Sequence, residues 1–435
     1  MKLITSWGRT RETLADVREP AFADEVGGNL AGGTSALGYG LGRSYGDVCL
    51  NSGGRLIRTI RLDRVLAADW DKGVLRAEAG CSFDGLLRLV VGRGWFLPVT
   101  PGTKFVTLGG AVANDVHGKN HETAGTLGCH VRAIGLCRSD GQLLELSATQ
   151  HPELFAATIG GLGLTGMILW VELQLAPLSS AHFETETVRM RDLDDFFTIA
   201  ANSSAWPFTV AWVDCLLTGK ALGRGLFTRA RPANDGRRDV HRERPAVGIP
   251  FLAPGWVLGS GTVGIFNRLY ARRPGATGRR RLHYDALLFP LDGIANWNRL
   301  YGRRGFYQHQ SVVPLSAARG ALRSLLELTA RARQGSFLVV LKLFGRRTSP
   351  GLLSFPTEGA TLALDLPNRG ERTIELLKRM TDVVMEAGGR IYPAKDATMS
   401  AAAFRAGFPR WRELEAARDP AVSSDFWRRV TGEAT

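Results

Sequence analysis

Cysteine is scarce, and none of it is paired by spacing. Five residues, Cys49, Cys81, Cys129, Cys137 and Cys215, are scattered over 435 positions, and no two stand as C-x-x-C. An odd count without short spacings argues against a disulfide framework and a zinc ribbon and fits a reducing compartment. Long apolar runs are missing too. No uninterrupted stretch of about 20 apolar residues occurs, so no membrane-spanning helix is expected. The first residues, MKLITSWGRTRETL, lack the apolar core of a signal peptide. A cytoplasmic protein, or one peripheral on a membrane surface, is the expectation. Proline is sparse, 19 residues against 52 Gly. That balance implies close backbone approaches rather than disorder.

Acidic charge is also in deficit. The net charge is +14, and it is unevenly placed. Residues 224–281 carry thirteen Arg, no Lys and three acids, Asp235, Asp239 and Glu243. Within them, residues 245–267 hold no charge at all. Pro and Gly interrupt that run too often for a spanning helix. Arg clusters flanking an apolar stretch suit an anionic membrane surface; solvated, mobile Arg-rich loops are the equal alternative. The aromatics do not alternate with Arg as a base-stacking groove requires, so nucleic acid is not an expected partner.

With 44% hydrophobic residues the chain can bury a core, and its length allows two or three domains. Residues 31–62 read as strand, Gly-rich turn, strand. Residues 73–80 alternate as a strand, and 83–94 read as a helix closed by Gly. A hairpin turns at Asp140-Gly141. Residues 151–178 read as helix, Gly-rich turn and long strand. Beyond about 179 the texture changes to strands at 209–217, 306–314, 337–345 and 360–367, with helices near 317–333 and 371–387.

Three small-residue segments carry the chemistry. The first is Gly38 to Asp47, GYGLGRSYGD. Glycines admit positive φ, so successive N–H groups can converge on a pyrophosphate. The segment lacks G-K-[ST] and is followed by a strand, so it is neither a P-loop nor a Rossmann fingerprint. The second runs from Pro101 through DVHGKNHETAG to Gly125, and the third spans residues 158–168. Any one alone reads as structural; three within about 130 residues imply an extended dinucleotide. His117-x-x-x-His121 has metal-ligand spacing, but needs a helix that Gly118 and its small neighbours oppose. No metal is expected. His121, His130 and His309 read as structural.

These segments, in this order, resemble the FAD-binding domain of vanillyl-alcohol-oxidase-type flavoproteins. Within them, the chain is similar to oxidases of polyprenyl-phosphoryl ribose, the resemblance continuing through WVD (212–214), NWNRLYGRRGFYQHQ (296–310), LKLFG (341–345), LDLP (364–367) and YPAKD (392–396). It implies an α+β fold: a two-part FAD domain, 1–178 and 388–435, with an inserted substrate domain, 179–387, built on an antiparallel sheet. Tyr39, Gly40, Leu41, Gly42, Arg43, Ser44 and Tyr45 would line the pyrophosphate turn. Pro101, Gly102, Thr103, Thr107, Gly109, Gly110, Asp115, His117, Gly118, Asn120 and Gly125 would run beside the isoalloxazine and diphosphate. Gly161, Gly163, Gly166 and Ile168 would hold the adenine side, and Tyr392 would touch flavin and substrate. Lys119, Trp212, Gln308, Gln310, Lys342 and Phe344 match substrate positions. Relatives that attach FAD covalently do so through a His in the first loop; this loop has none, which implies non-covalent FAD.

The implied reaction oxidises the 2′-hydroxyl of a polyprenyl-phosphoryl-β-D-ribose, a lipid-linked sugar phosphate, to the 2′-keto sugar. It is the first half of an epimerisation that a short-chain reductase completes. Lys395 is the first candidate base and His117 the second, each requiring its uncharged form. Gln308 and Gln310 alternate on a strand and so share a face. Three positions depart from the family pattern: Ala363 replaces a Cys, Thr361 an Asn and Cys129 an Asn. Oxidation of a different sugar or alditol, and a lipid-binding homologue without turnover, stay open as alternatives.

Overall fold

In the computed structural model, residues 1–241, 247–255, 257–273 and 275–432 are described. Three sheets organise them. The first is mixed: Glu12–Arg18 and Ala36–Tyr39 both run parallel to Arg55–Arg58, and Lys2–Thr5 closes the edge. The second is antiparallel, in the order Val65–Asp69, Val74–Glu78, Met167–Gln174, Val131–Cys137, Leu143–Ser147. The expected hairpin is there, with Gly141 at φ 86°.

The third sheet has eight antiparallel strands: Gly278–His283, His182–Met190, Gly225–Pro232, Phe208–Val213, Val339–Phe344, Gly359–Pro367, Phe306–Val313 and Arg390–Ile391. Its period of two separates two chemistries. Val339, Leu341, Leu362, Leu364 and Val313 face one side. There they meet Leu322, Leu325 and Leu326 of helix Leu315–Arg331, and Leu376, Leu377 and Met380 of helix Glu371–Glu386. Each such buried side chain contributes roughly 1.5–3 kcal/mol. The alternate residues face the other side, where Lys342, Thr361, Asp365, Gln308, Gln310, Trp212 and Phe344 stand among Val312, Val340 and Ala363.

The C-terminal residues return to the N-terminal sheet. The Arg429 guanidinium donates to both oxygens of Asp47 at 2.8 Å and to Asp396 at 2.9 Å. Ala36 pairs with Val422, and Asp419 accepts from the Ser139 amide and hydroxyl. Helix Asp425–Thr431 thus packs on the turn Asp47–Cys49, helix Ala401–Gly407 packs on that helix, and helix Trp411–Ala417 lies against helix Pro152–Thr158.

Two expectations need correction. The strand expected at 209–217 ends at Val213, because Asp214 turns the chain and accepts from the Leu216 amide and from Asn267. The Arg-rich segment 224–281 is not a set of loops. It contributes strands Gly225–Pro232 and Gly278–His283 and helix Ser260–Arg272. Glu184 lies opposite Arg231 and Arg281, and Glu186 opposite Arg229 and Arg279. The pairs close at 2.6 Å for Arg229–Glu186 and 3.0 Å for Arg231–Glu184. The neutralising acids stand outside the segment, on the strand it flanks, so a charge count within 224–281 missed them. Residues 242–246 of that segment, with Arg242 and Arg244, lie outside the described residues.

Arg429→Met leaves two buried carboxylates unpaired. Loss of one partner from such a group costs roughly 3–5 kcal/mol. Urea unfolding of the variant and of Arg428→Met, a more local ion pair, is expected to separate them clearly, with Arg429→Met far the weaker protein.

Candidate active site

Strand Ala36–Tyr39 delivers the first Gly-rich turn. A Cβ on Gly40 would lie 2.2 Å from Thr107 Oγ1, and one on Gly46 would lie 1.6 Å from the Asp396 carbonyl oxygen. Only glycine lets the turn thread between the second segment and the tail. Gly42 has φ +62°. Among the described residues the N–H groups of Leu41, Gly42, Arg43 and Ser44 donate to no protein acceptor. Consecutive free amides are the groups that can receive an anion. Tyr39 ends the strand before them. Arg43 is stacked over Trp7 at 4.1 Å with Phe105 at 5.5 Å, and its buried Nε has no partner.

The second segment begins at Pro101-Gly102-Thr103 and enters the short helix Leu108–Ala113, where Thr107 Oγ1 caps the Gly110 amide. Gly109 lies against Ala79; a Cβ there would meet that residue's Cβ at 2.7 Å. Asp115, at φ 39° and fully buried, accepts from the Gly128 amide and from the Ser349 and Ser354 hydroxyls. It ties the segment to residues 349–354. Burial nonetheless pushes its carboxyl up. A Cβ on Gly118 would lie 2.6 Å from Asn120 Oδ1, and Gly125 turns at φ +73°. Asn120 donates to the Pro98 carbonyl, while its Oδ1 is buried and unpartnered.

The third segment behaves differently. Gly160 and Leu162 donate to Val112 and Ala113, and Leu164 donates to Gly161. Gly161 packs on the Ala157 carbonyl, Gly163 turns at φ +77°, and Gly166 packs on the Cys137 carbonyl. Ile168 is buried on strand Met167–Gln174. This segment braces helix Leu108–Ala113; it offers no run of free amides like that of the first.

Opposite these loops lies the polar face of the eight-stranded sheet. Register places Trp212 beside Val340, Val340 beside Ala363, and Ala363 beside Gln310. The row on one side of it joins Lys342, Thr361 and Val312, and the row on the other side joins Asp365 to Gln308. Gln308 donates to the Asp365 carboxylate. Lys342 Nζ lies 3.3 Å from His117 Nδ1 and 3.2 Å from the Gly118 carbonyl oxygen. Gln310 meets the other His117 nitrogen at 3.0 Å. Phe344, Phe355 and Tyr392 surround the His117 ring at 4.8, 5.9 and 5.5 Å. Tyr392 also stacks on Phe355 and donates its hydroxyl to the Asn114 carbonyl. Lys395 Nζ rests 3.8 Å above the Tyr45 ring.

Electrostatics follow from burial. Desolvation, with Lys342, His121 and Lys395 nearby, holds His117 well below the usual imidazole range, so it is neutral. Gln310 Nε2 donates to His117 Nε2, which leaves the proton of the neutral ring on Nδ1, toward Lys342 Nζ. Burial lowers Lys342 to about 7, helped by Lys119 and Lys395. It lowers Lys119 to about 8, against the pull of Asp292; Lys119 Nζ donates to the Leu288 carbonyl. Burial lowers Lys395 and raises Asp365, and the two stabilise each other's charge. His121 lies tilted against Phe344 at 4.3 Å, and burial, with Lys342 nearby, holds it neutral.

Trp212 packs differently from the rest. Its indole donates to the Phe337 carbonyl, and its ring lies 4.8 Å from Tyr270. Asp365 and Phe355 were not among the expected site residues. Asp365 shares the parity of Thr361 and Ala363, which would have found it. Phe355 sits in an irregular loop with no periodic signal. Among the described residues no cluster of His, Cys, Asp and Glu could hold a metal.

The donor set fits a flavin dinucleotide. Four free amides suit a pyrophosphate, and Asn114 Oδ1, Asn120 Oδ1 and His121 Nε2 are buried polar atoms without partners. A family model described as an FAD binding domain matches residues 32–147. The chain is 33% identical to decaprenylphosphoryl-β-D-ribose oxidase of Mycolicibacterium smegmatis over 99% of its own length and 97% of that protein. It is 34% identical to an uncharacterized protein in the mprA 5′ region of Streptomyces coelicolor, over 79% of this chain and 98% of that one. L-gulonolactone oxidase of Mus musculus is 31% identical over 40% of this chain and 36% of its own length.

Lys342 generates a stability test. Its folded pKa of about 7 lies below its unfolded value of 10.5. The unfolded chain therefore binds more protons between those limits, and stability rises with pH across that window. Below it, the cost of burying the charge is fully present. Lys342→Met is expected to raise the thermal midpoint at neutral pH and to flatten its rise from pH 7 to 10. An unchanged pH slope in the variant would sink this account.

Proposed function

The chain belongs to the decaprenylphosphoryl-β-D-ribose oxidase family, and on that premise we propose that it oxidises the 2′-hydroxyl of a polyprenyl-phosphoryl-β-D-ribose to the 2′-keto sugar. The observation that carries this reading is the convergence of Lys119, Lys342 and Lys395 around Gln308 and Gln310 on one sheet face. Buried ammonium groups receive a phosphate as point charges. The two amides suit sugar hydroxyls. When bound, FAD supplies the acceptor for the carbinol hydride.

The protein's own residues hold the sugar and manage the hydroxyl proton. Lys395 is assigned as the base. Its amine is desolvated, so its neutral form is within reach near working pH, and its Nζ has no hydrogen-bond partner among the described residues. His117 is assigned a positioning role. Both of its nitrogens are engaged, by Lys342 and by Gln310, so it orients those two side chains. Asp365 holds Gln308 and faces Lys395 as the counter-charge. Phe344 and Tyr392 wall the His117 side.

We assign residues 1–178 with 388–435 to the flavin module and 179–387 to the substrate module; the Arg429 bridge to Asp47 supports the pairing of the two ends. FAD is assigned as non-covalent, because the Gly38–Asp47 turn holds no His. Among the described residues no helix is long and apolar enough to cross a membrane. A lipid-linked substrate then requires a peripheral membrane surface, and a separate short-chain reductase would consume the keto product.

Anaerobic addition of a polyprenyl-phosphoribose is expected to bleach the flavin absorbance, and free alditols are not. Bleaching by alditols alone would replace this substrate assignment, and none with any sugar would point to a lipid-binding homologue. Lys395→Met is expected to slow bleaching by about 10²–10⁴-fold with flavin content retained. In the unmodified protein the rate is expected to rise with pH as Lys395 loses its proton, below the ordinary lysine range of about 10.4. Denaturation in acid is expected to release all yellow colour into the supernatant; colour remaining on the polypeptide would contradict the non-covalent assignment.

A further inference from the structure

Among the described residues, six of the exposed large apolar side chains fall between 247 and 294, and three of them share helix Ser260–Arg272. The helix has a clear inner side. Val263 and Asn267 are buried, Asn267 donates to Asp214 at 2.8 Å, and Tyr270 packs on Trp212. On its outer side Ile265 is 62% exposed, Leu269 66% and Phe266 43%. Beside this apolar stripe runs a second one, Arg268 and Arg272, four residues apart and exposed.

Four arginines of the flanking strands, Arg229, Arg231, Arg279 and Arg281, are matched to Glu184 and Glu186. Arg268 and Arg272 form no ion pair among the described residues, and no acid occurs between residues 244 and 284. An apolar stripe against an unneutralised Arg stripe is the pattern of a helix lying in a membrane interface. A water-facing helix would carry acids among its bases.

Position gives the pattern a purpose. Phe266 meets Phe337 edge-on at 6.0 Å, and Phe337 stacks on Tyr301 at 5.8 Å. Tyr301 stacks on Phe306, which meets Tyr45, the ring beneath Lys395. Helix Ser260–Arg272 is thus joined by packed aromatics to the catalytic chamber and covers Trp212, the end of its polar row. We propose that this helix lies in the headgroup plane of an anionic bilayer, with Ile265, Phe266 and Leu269 among the acyl chains and Arg268 and Arg272 on lipid phosphates. It seats the chamber against the leaflet that holds the lipid-linked substrate. The proposal rests on the membrane reading above and names the surface responsible.

The test uses the flavin-loaded full chain and vesicles of equimolar phosphatidylglycerol and phosphatidylcholine at low salt. Ile265→Glu with Leu269→Glu, and separately Arg268→Gln with Arg272→Gln, are expected to lower vesicle binding about ten- to thirtyfold. Bleaching by a long-chain substrate held in vesicles is expected to fall in parallel. Bleaching by a short-chain, water-soluble prenyl phosphoribose is expected to stay unchanged, with flavin content and thermal midpoint retained. Wild-type protein that ignores anionic vesicles would remove the membrane reading and this assignment with it. Wild-type binding that both variants keep would leave the reading standing and overturn the helix. Loss of a wild-type dimer in the variants, without loss of vesicle binding, would assign the face to self-association instead.

Discussion

Cross-strand register in the eight-stranded sheet is what brings the candidate site together. Trp212, Val340, Ala363 and Gln310 come from four strands and lie in one row; Lys342 and Thr361 form the next. Side chains alternate along a strand, so a slip by one residue would turn Lys342, Gln308 and Gln310 toward the helices. Leu341, Leu362 and Leu364 would then face the flavin loops. The apolar contacts with helices Leu315–Arg331 and Glu371–Glu386 oppose such a slip. The packing of one face thereby holds the chemistry of the other, and a core substitution on the helix side can act on the site without touching it.

Within that frame, the chamber is dominated by cations that burial discourages. Lys342 and Lys119 are pushed down to about 7 and 8, and Lys395 is lowered as well. Burying such a group of amines in charged form is costly. The same desolvation gives a lysine base access to its neutral form. Asp365 tempers this: its charge favours the protonated state of Lys395, and its own burial keeps that influence partial. His117, neutral and engaged on both sides, carries geometry where its residue type alone invited an acid–base role.

The three small-residue segments divide their work. The first exposes consecutive amides and is narrow enough that a Cβ on Gly46 would strike the tail. The second lies between that turn and the sheet. The third spends its amides on helix Leu108–Ala113 and keeps the second in place. Arg429 joins Asp47, just after the first turn, to Asp396, just after Lys395. One guanidinium therefore ties the loop with the free amides to the residue beside the candidate base. In the basic segment four strand arginines, Arg229, Arg231, Arg279 and Arg281, are neutralised by Glu184 and Glu186 of a neighbouring strand, and Arg268 and Arg272 on the helix have no ion pair among the described residues.

Much of this was legible in the residues. Glycine placement marked all three loops, alternation marked the strands, and the parity of Gln308 and Gln310 put both on one face. Parity would also have marked Asp365. Other features had no local signal. Phe355 reaches His117 from an irregular loop. Glu184 and Glu186 lie some forty residues before the nearest arginines they neutralise, so the segment's own charge count leaves solvated loops standing as an equal alternative. The roles of His117 and Lys395 could not be ranked from their types, since both are titratable and both lie in distinctive motifs. By itself the sequence determined most of the elements, the glycine-rich loops and the inventory of charged groups, because these follow from local backbone freedom and periodicity. Only the tertiary structure decided which nitrogen is free, which arginine is paired and which lysine is buried, because each depends on residues distant in the chain that exclude water together.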